Sequence, residues 1–262
     1  MVERSRLTTV EKGRRFQALH RAGRPLLISN PWDAGTARLL EWVGFEALTT
    51  TSAGLAFGDL ENGYGDSPET VAETVHLAGE VAGLVGGSIE DASGNPDRPI
   101  YDFGLAVERM AAAAEAARAL PFPFVLVGRA ENYLYGRRDL DDTIRRLQAF
   151  EDAGADVLFA PGITSAEDIR TVCAAVRNPV NVVMGLIGAT FSVADLAALG
   201  VRRISVGSAL SRVALAAVVT AARHPRLFVG TAVLLVVVSI AACLIPGWRA
   251  TRADLVQALS AE

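Results

Sequence analysis

Short apolar runs recur about every 25 residues from Pro25 to Ala222, each separated from the next by an amphipathic stretch. The runs are PLLIS, FEALTTT, VGGSIE, FPFVLVGRAE, ADVLFAP, VNVVM and RRISVG. Helical periodicity fills the intervals: Asp33–Gly44, Pro68–Ala82, Leu105–Ala119, Asp141–Ala153, Ser165–Val176, Ser192–Leu199 and Ser208–Ala222. Several of these helices close on glycine just before the next strand, as in EDAGADVLF and AALGVRRISV, a usual helix-to-strand connection. Strands that are apolar throughout, alternating with helices, specify a parallel sheet covered by helices. A (β/α)8 barrel needs eight strands and about 250 residues, and the pattern here supplies about seven. The missing unit has a definite place. Between FEALTTT and the acidic loop GDLENGYGDSPE no crossover helix intervenes, although parallel neighbours need a dozen or more residues to cross over. The expected fold is therefore an α/β barrel of the TIM type lacking about one βα unit near residue 58. The alternative is that AGLAFGDLENG prolongs one long irregular strand.

Composition narrows the function. The 262 residues carry a formal charge of −4 and no Lys/Arg stripe, which argues against a nucleic-acid partner. Cys173 and Cys243 lie far apart without CxxC spacing and read as packing residues. His20, His76 and His224 are scattered, so a histidine-rich metal site is not expected. The first residues, MVERSRLTTVEKGRRF, are charged and lack the apolar core of a secretory signal. Hydrophobicity concentrates instead near the other end. Leu227–Trp248 runs for about 22 residues without a charge, long enough to span a bilayer as a helix. Arg226 precedes it and Arg249 and Arg252 follow. The expected organisation is a barrel over residues 1–223 and a hydrophobic helix with its tail over 224–262. Residues 227–246 are the expected membrane contact, anchoring a cytoplasmic barrel. A buried core helix is the alternative.

In a parallel barrel, chemistry sits at the C-terminal ends of the strands. The residues there form a coherent polar set: Ser52, Ala53 and Gly54; Asp59 and Glu61 in the acidic loop; Glu90 and Asp91; Arg129, Glu131 and Asn132. Oxygen-only carboxylates from separate strand ends suit a hard cation such as Mg²⁺. An arginine beside them would clamp a carboxylate or phosphonate and stabilise a developing oxyanion. Backbone N–H groups around Ser52–Gly54 could hold a substrate carboxylate. Glu90 and Arg129 each end an apolar strand, where a merely solvated charge is out of place. Asp59 and Glu61 read equally well as solvated loop acids. Asp66, Ser67 and Pro68 form a helix-start signal, and Asp141–Asp142 another.

These segments also carry a resemblance. NPWDAGTARLLEWVGFEALTTTSAG, DLENGYGDSPE, GGSIED, VGRAENYL, AFEDAGADVLFAPG and LAALGVRRISVGSAL resemble the isocitrate lyase/phosphoenolpyruvate mutase superfamily, in particular its carboxyvinyl-carboxyphosphonate phosphorylmutase-like branch. The likeness covers about residues 16–222. It implies a (β/α)8 barrel that binds Mg²⁺ and cleaves or forms C–C or P–C bonds through an enolpyruvate-like species. The substrate would be a small 2-oxo acid or phosphonate, and the enzyme a homo-oligomer. Ser52, Ala53 and Gly54 would bind the substrate carboxylate, and Asp59, Glu61 and Glu90 the metal. Arg129 would face the substrate oxygens. Glu61 and Arg129 are the catalytic candidates.

Three departures qualify that reading. Family members carry roughly 35 more residues, about one βα unit, between the SAGLA and DLENGYG elements. The loop after SIED reads ASGNPDRPIYD and contains no Cys, His or Lys, which argues against isocitrate or methylisocitrate lyase activity. Asn95, Asp97 and Arg98 are its polar candidates, with Asn95 placed toward substrate. Beyond His224 the chain instead resembles the last transmembrane helix and tail of FtsX-like ABC exporter permeases, through IPGWRATRADLVQALSAE. The alternative functions are an inactive barrel remnant joined to a membrane segment, or a membrane-anchored permease fragment.

Overall fold

The computed structural model describes residues 7–49, 71–72, 75–76, 84–184 and 191–222. The chain divides into two compact units, Met1–Ser211 and Arg212–Glu262. The described part of the first unit opens with helix α1 (Thr9–His20), then β1 (Leu26–Ser29), α2 (Ala34–Val43) and β2 (Ala47–Leu48). It continues with β3 (Gly86–Glu90), α3 (Phe103–Ala119), β4 (Val125–Arg129), α4 (Leu140–Ala153) and β5 (Val157–Phe159). The last elements are α5 (Ala166–Ala175), β6 (Val180–Val183), α6 (Val193–Ala198) and β7 (Arg203–Ser205), and α7 (Ala209–Ala222) runs across the division between the units. The helix ends follow local chemistry. Asp33, Asp139, Ser165 and Ser192 each accept the N–H of the third helical residue, and Gly44 and Gly154 close α2 and α4 in the left-handed conformation. Helix α4 starts at Leu140, one residue before its predicted start, because Asp139 is the cap.

The seven strands form one parallel sheet in the order β2-β1-β7-β6-β5-β4-β3. Its wrap-around order, with β1 beside β7, is that of a (β/α) barrel, and among the described residues its two outer strands are β2 and β3. The predicted gap near residue 58 falls between those same two strands. Side chains alternate across the sheet. Leu126, Leu158, Val180 and Ile204 point outward into a core shared with α3, α4, α5 and α6. Leu158 and Leu126 are essentially inaccessible, and burying each such side chain is worth about 1.5–3 kcal/mol. Val125, Val127 and Val157 point to the inner face, where Phe16 from α1 and Phe159 pack against them.

Helix α1 was not predicted, because its surface is mostly polar. Its start is nevertheless written in Thr8 and Glu11, which cap each other reciprocally. Gly13 lets α1 approach β4 closely: a Cβ there would run into the Pro123 carbonyl oxygen. Among the described residues no helix is long and apolar enough to cross a membrane. The predicted Leu227–Trp248 span lies outside them, as does most of the predicted Pro68–Ala82 helix. Within that stretch Val71 and Val75 are helical and buried in the outer core.

The Gly13 contact is open to test. Gly13→Ala is expected to lower stability by about 1–2 kcal/mol, overpacking against Pro123 outweighing the better helix propensity of alanine. Denaturant midpoints of the two proteins check this, and an unchanged midpoint would place α1 elsewhere.

Candidate active site

Register brings the two predicted strand-end charges together. Glu90 of β3 pairs laterally with Arg129 of β4, so both side chains emerge on the inner face at the C-terminal end of their strands. Arg129 Nη1 lies 3.1 Å from Glu90 Oε2. Its Nε and Nη2 both donate to Glu131 Oε1, each at 2.8 Å. The guanidinium carbon also stands 5.2 Å from the centre of the Phe159 ring. The planar fork is thus fixed on three sides, by two carboxylates and an aromatic face.

A second layer holds this arrangement. Asp91 follows Glu90 directly and is buried; its Oδ1 accepts the Glu131 backbone N–H at 2.8 Å, and its Oδ2 meets Arg146 Nη1 at 3.1 Å. Arg146 projects from α4 and also donates to Asp142 Oδ2 at 2.9 Å and to the Tyr101 carbonyl at 3.1 Å. Asn132 Nδ2 donates to the same Asp142 oxygen at 2.8 Å. Helix α4 is in this way bolted to the loops that leave β3 and β4. Sequence reasoning noted Asp91, Glu131 and Asn132 as strand-end residues and missed that Arg146 joins them. The available signal was an arginine within the helix that follows the strand, on the turn after Asp142.

The electrostatics are set by burial. Burial raises the Glu131 carboxyl to about 7, against the lowering charge of Arg129 and with the like charge of Glu90 adding to the rise. Burial also raises Asp91, against its bonds to the Glu131 amide and to Arg146. For Asp142 burial is outweighed: hydrogen bonds from Arg146, Arg145 and Asn132 hold its carboxyl well below the usual range.

Of the predicted site residues, the structure brings Glu90 and Arg129 into contact. Asn95 lies in the exposed loop after β3, where its side-chain oxygen accepts the Asp97 N–H at 2.9 Å and so serves the loop's own turn. Ser52, Ala53, Gly54, Asp59 and Glu61 lie outside the described residues. Among the described residues no three His, Cys, Asp or Glu side chains converge to hold a metal ion. Glu90 is the described candidate ligand, with Asp91 and Glu131 already committed to Arg146 and Arg129. Its oxygen donors fit Mg²⁺, which needs only one or two direct carboxylates and keeps several waters. A metal ion there would compete with Arg129 for Glu90.

A parallel barrel-type sheet with an acid and an arginine paired at neighbouring strand ends defines a class of α/β enzymes that work at the C-terminal mouth of the barrel. The comparisons make the assignment specific. The profile of the phosphoenolpyruvate phosphomutase family matches residues 16–58 and 57–225, and the chain belongs to that family. The two matched stretches meet at residues 57–58, where the sequence lacks a crossover. A solved structure assigned to the lyase/mutase class, from Burkholderia cenocepacia J2315, is 55% identical with a TM-score of 0.80, over 83% of this chain and 88% of that one. 2,3-Dimethylmalate lyase, a member of the PEP mutase/isocitrate lyase superfamily, is 25% identical with a TM-score of 0.72, over 83% and 87%. An oxaloacetate decarboxylase of Bradyrhizobium diazoefficiens is 36% identical over 127 residues, 47% of this chain and 42% of that protein.

The raised Glu131 carboxyl gives stability a definite pH dependence. Its folded pKa of about 7 lies above the ordinary 4.5, so the folded state holds the proton more tightly and stability falls as pH rises from about 4.5 to 7. Glu131→Gln is expected to flatten that part of the profile. Equal slopes for the two proteins in pH-dependent denaturation would show that Glu131 titrates normally.

Proposed function

We propose that the chain is a Mg²⁺-dependent lyase or mutase that makes or breaks a C–C or C–P bond in a small 2-oxo acid or phosphonopyruvate-like substrate. The observation that carries this reading is the Glu90–Arg129 pair at adjacent strand ends, in a chain of the phosphoenolpyruvate phosphomutase family. Glu90, with Asp59 and Glu61 of the acidic loop, would hold the metal. Bound there, Mg²⁺ supplies a Lewis-acid charge to the substrate oxygens. The backbone around Ser52, Ala53 and Gly54 receives the substrate carboxylate, and Asn95 borders it from the loop after β3. Arg129 donates N–H bonds to the substrate oxygen that gains negative charge as the bond breaks. Glu131 keeps the guanidinium fork aimed, and its burial in turn depends on Asp91 and Arg146. The oxaloacetate decarboxylase relative supports oxaloacetate as a first substrate to try, and the family match supports phosphonopyruvate as a second.

Turnover of oxaloacetate or phosphonopyruvate is expected to require added Mg²⁺ and to stop with a chelator. Glu90→Ala is expected to lower kcat/KM at least about a hundredfold. Activity that is equal with and without chelator would remove the metal role. A folded protein that binds Mg²⁺ and turns over neither substrate would mark the site as inactive.

A further inference from the structure

One transverse row of the sheet runs Glu90–Arg129–Phe159–Asn181–Arg203–Leu26, each residue in register with the next. Laterally paired residues project to the same face, so Arg203 of β7 shares the inner face with Glu90 and Arg129. It is only 7% exposed, and among the described residues neither its Nε nor its Nη1 has a hydrogen-bond partner. A buried charge with idle donors is costly unless an anion completes it. Among the described residues, neither His20 nor Asn181 beside it supplies one. His20 of α1 donates through Nδ1 to the Phe16 carbonyl (2.8 Å); burial pushes it down to about 4, against that bond and with the charge of Arg203 adding to the fall, so it is neutral at physiological pH. Asn181, also buried, bonds through Nδ2 to Ser205 Oγ at 3.1 Å and leaves Oδ1 idle. Ser205 can donate to that oxygen instead, so a half turn of the carboxamide offers Nδ2 to a ligand as well. Burial, followed by the charge of Arg129, lowers the Arg203 guanidinium to about 10, which leaves it cationic at neutral pH.

We propose that Arg203, with Asn181 beside it, is an oxyanion-binding group on the inner face of the sheet that takes a carboxylate or phosphonate group of a small dianion. A guanidinium fork matches either group in a bidentate manner. The identity of the natural dianion rests on the proposed function; the site itself does not. It differs from Arg129 in kind. Arg129 is already committed to Glu90 and Glu131 and is suited to respond to charge that develops, whereas Arg203 has donors waiting for charge that arrives with the ligand.

Thermal unfolding of the full chain in EDTA tests this, with oxalate and inorganic phosphate as the added anions. Removing Mg²⁺ separates the test from the metal-dependent activity. A dianion at about a hundred times its Kd is expected to raise the wild-type midpoint by on the order of 5 °C. The shift should vanish in Arg203→Met and weaken at least fivefold in concentration dependence in Arg203→Lys, which keeps the charge and loses the fork. Without anion, Arg203→Met should unfold no lower than wild type, because it removes an uncompensated buried charge. No shift in wild type, or an equal shift in Arg203→Met, overturns the proposal. So does a large drop in the anion-free midpoint of Arg203→Met, which would show that a carboxylate of the chain already pairs with Arg203. If Arg203→Met fails to fold, Arg203→Lys decides by the same shift. Where turnover is found, Arg203→Lys should raise KM more than it lowers kcat. A response to phosphate but not to oxalate or substrate would show a site for free phosphate rather than for the substrate.

Discussion

The lateral pairing of Glu90 with Arg129 is the constraint on which the rest of the site depends. Parallel strands in fixed register leave no choice about which side chains meet. A slip of one residue would turn Glu90 toward the helices and Ile89 toward the inner face, exchanging the strand-end acid for a core residue. The register is protected by the outer core: Ile89, Leu126 and Leu158 are all buried there and would all be misplaced by the same slip. The apolar periodicity of the strands and the chemistry at their ends are therefore two consequences of one alignment.

Behind that pair, the ion pair between Asp91 and Arg146 transmits the position of a helix to the site. Buried ion pairs contribute little net stability, but they are strict about geometry. Asp91 uses both oxygens, one on the backbone of Glu131 and one on Arg146. Glu131 then spends one oxygen on two N–H groups of Arg129. Displacing α4 would thus disturb Arg129 through Asp91 and Glu131. Such a second layer fixes the direction of the guanidinium.

Much of this fold was legible in the sequence, because it is built from repeated local signals. Strand runs, capping Asp and Ser residues, and closing glycines each report on the residues around them. The seven strands lie within their predicted runs for that reason. Helix α1 escaped notice because its buried contacts are few, and a polar helix gives a weak periodic signal. Glu90 and Arg129 stood out as charges at the ends of apolar strands. The roles of Glu131, Arg146 and Arg203 did not, since they come from pairings such as Arg146 with Asp91, 55 residues apart, that only the register defines. The expectations for Ser52–Gly54, Asp59 and Glu61 fall outside the described residues, and so does the hydrophobic span beyond residue 226.

Three observations meet at one place. The sequence has no crossover before the acidic loop, the family profile matches in two stretches that join at residues 57–58, and among the described residues β2 and β3 are the outer strands of the sheet. What this means for the site follows from chain order. Glu90, Arg129, Glu131, Asp91 and Arg146 all lie after the junction, on elements that pair continuously from β3 through β7 to β1. Their geometry is fixed by hydrogen bonds among themselves and by the outer core, to which Val71 and Val75 from the stretch between β2 and β3 also contribute. The hydrogen bonds that aim Arg129 thus come from residues that follow the junction in sequence. The acidic loop, separated from FEALTTT only by SAGLAF, adjoins the junction in sequence. On the metal-site reading proposed above, a change at the junction would bear first on Asp59 and Glu61, which adjoin it in sequence, whereas Arg129 is held by residues that follow it.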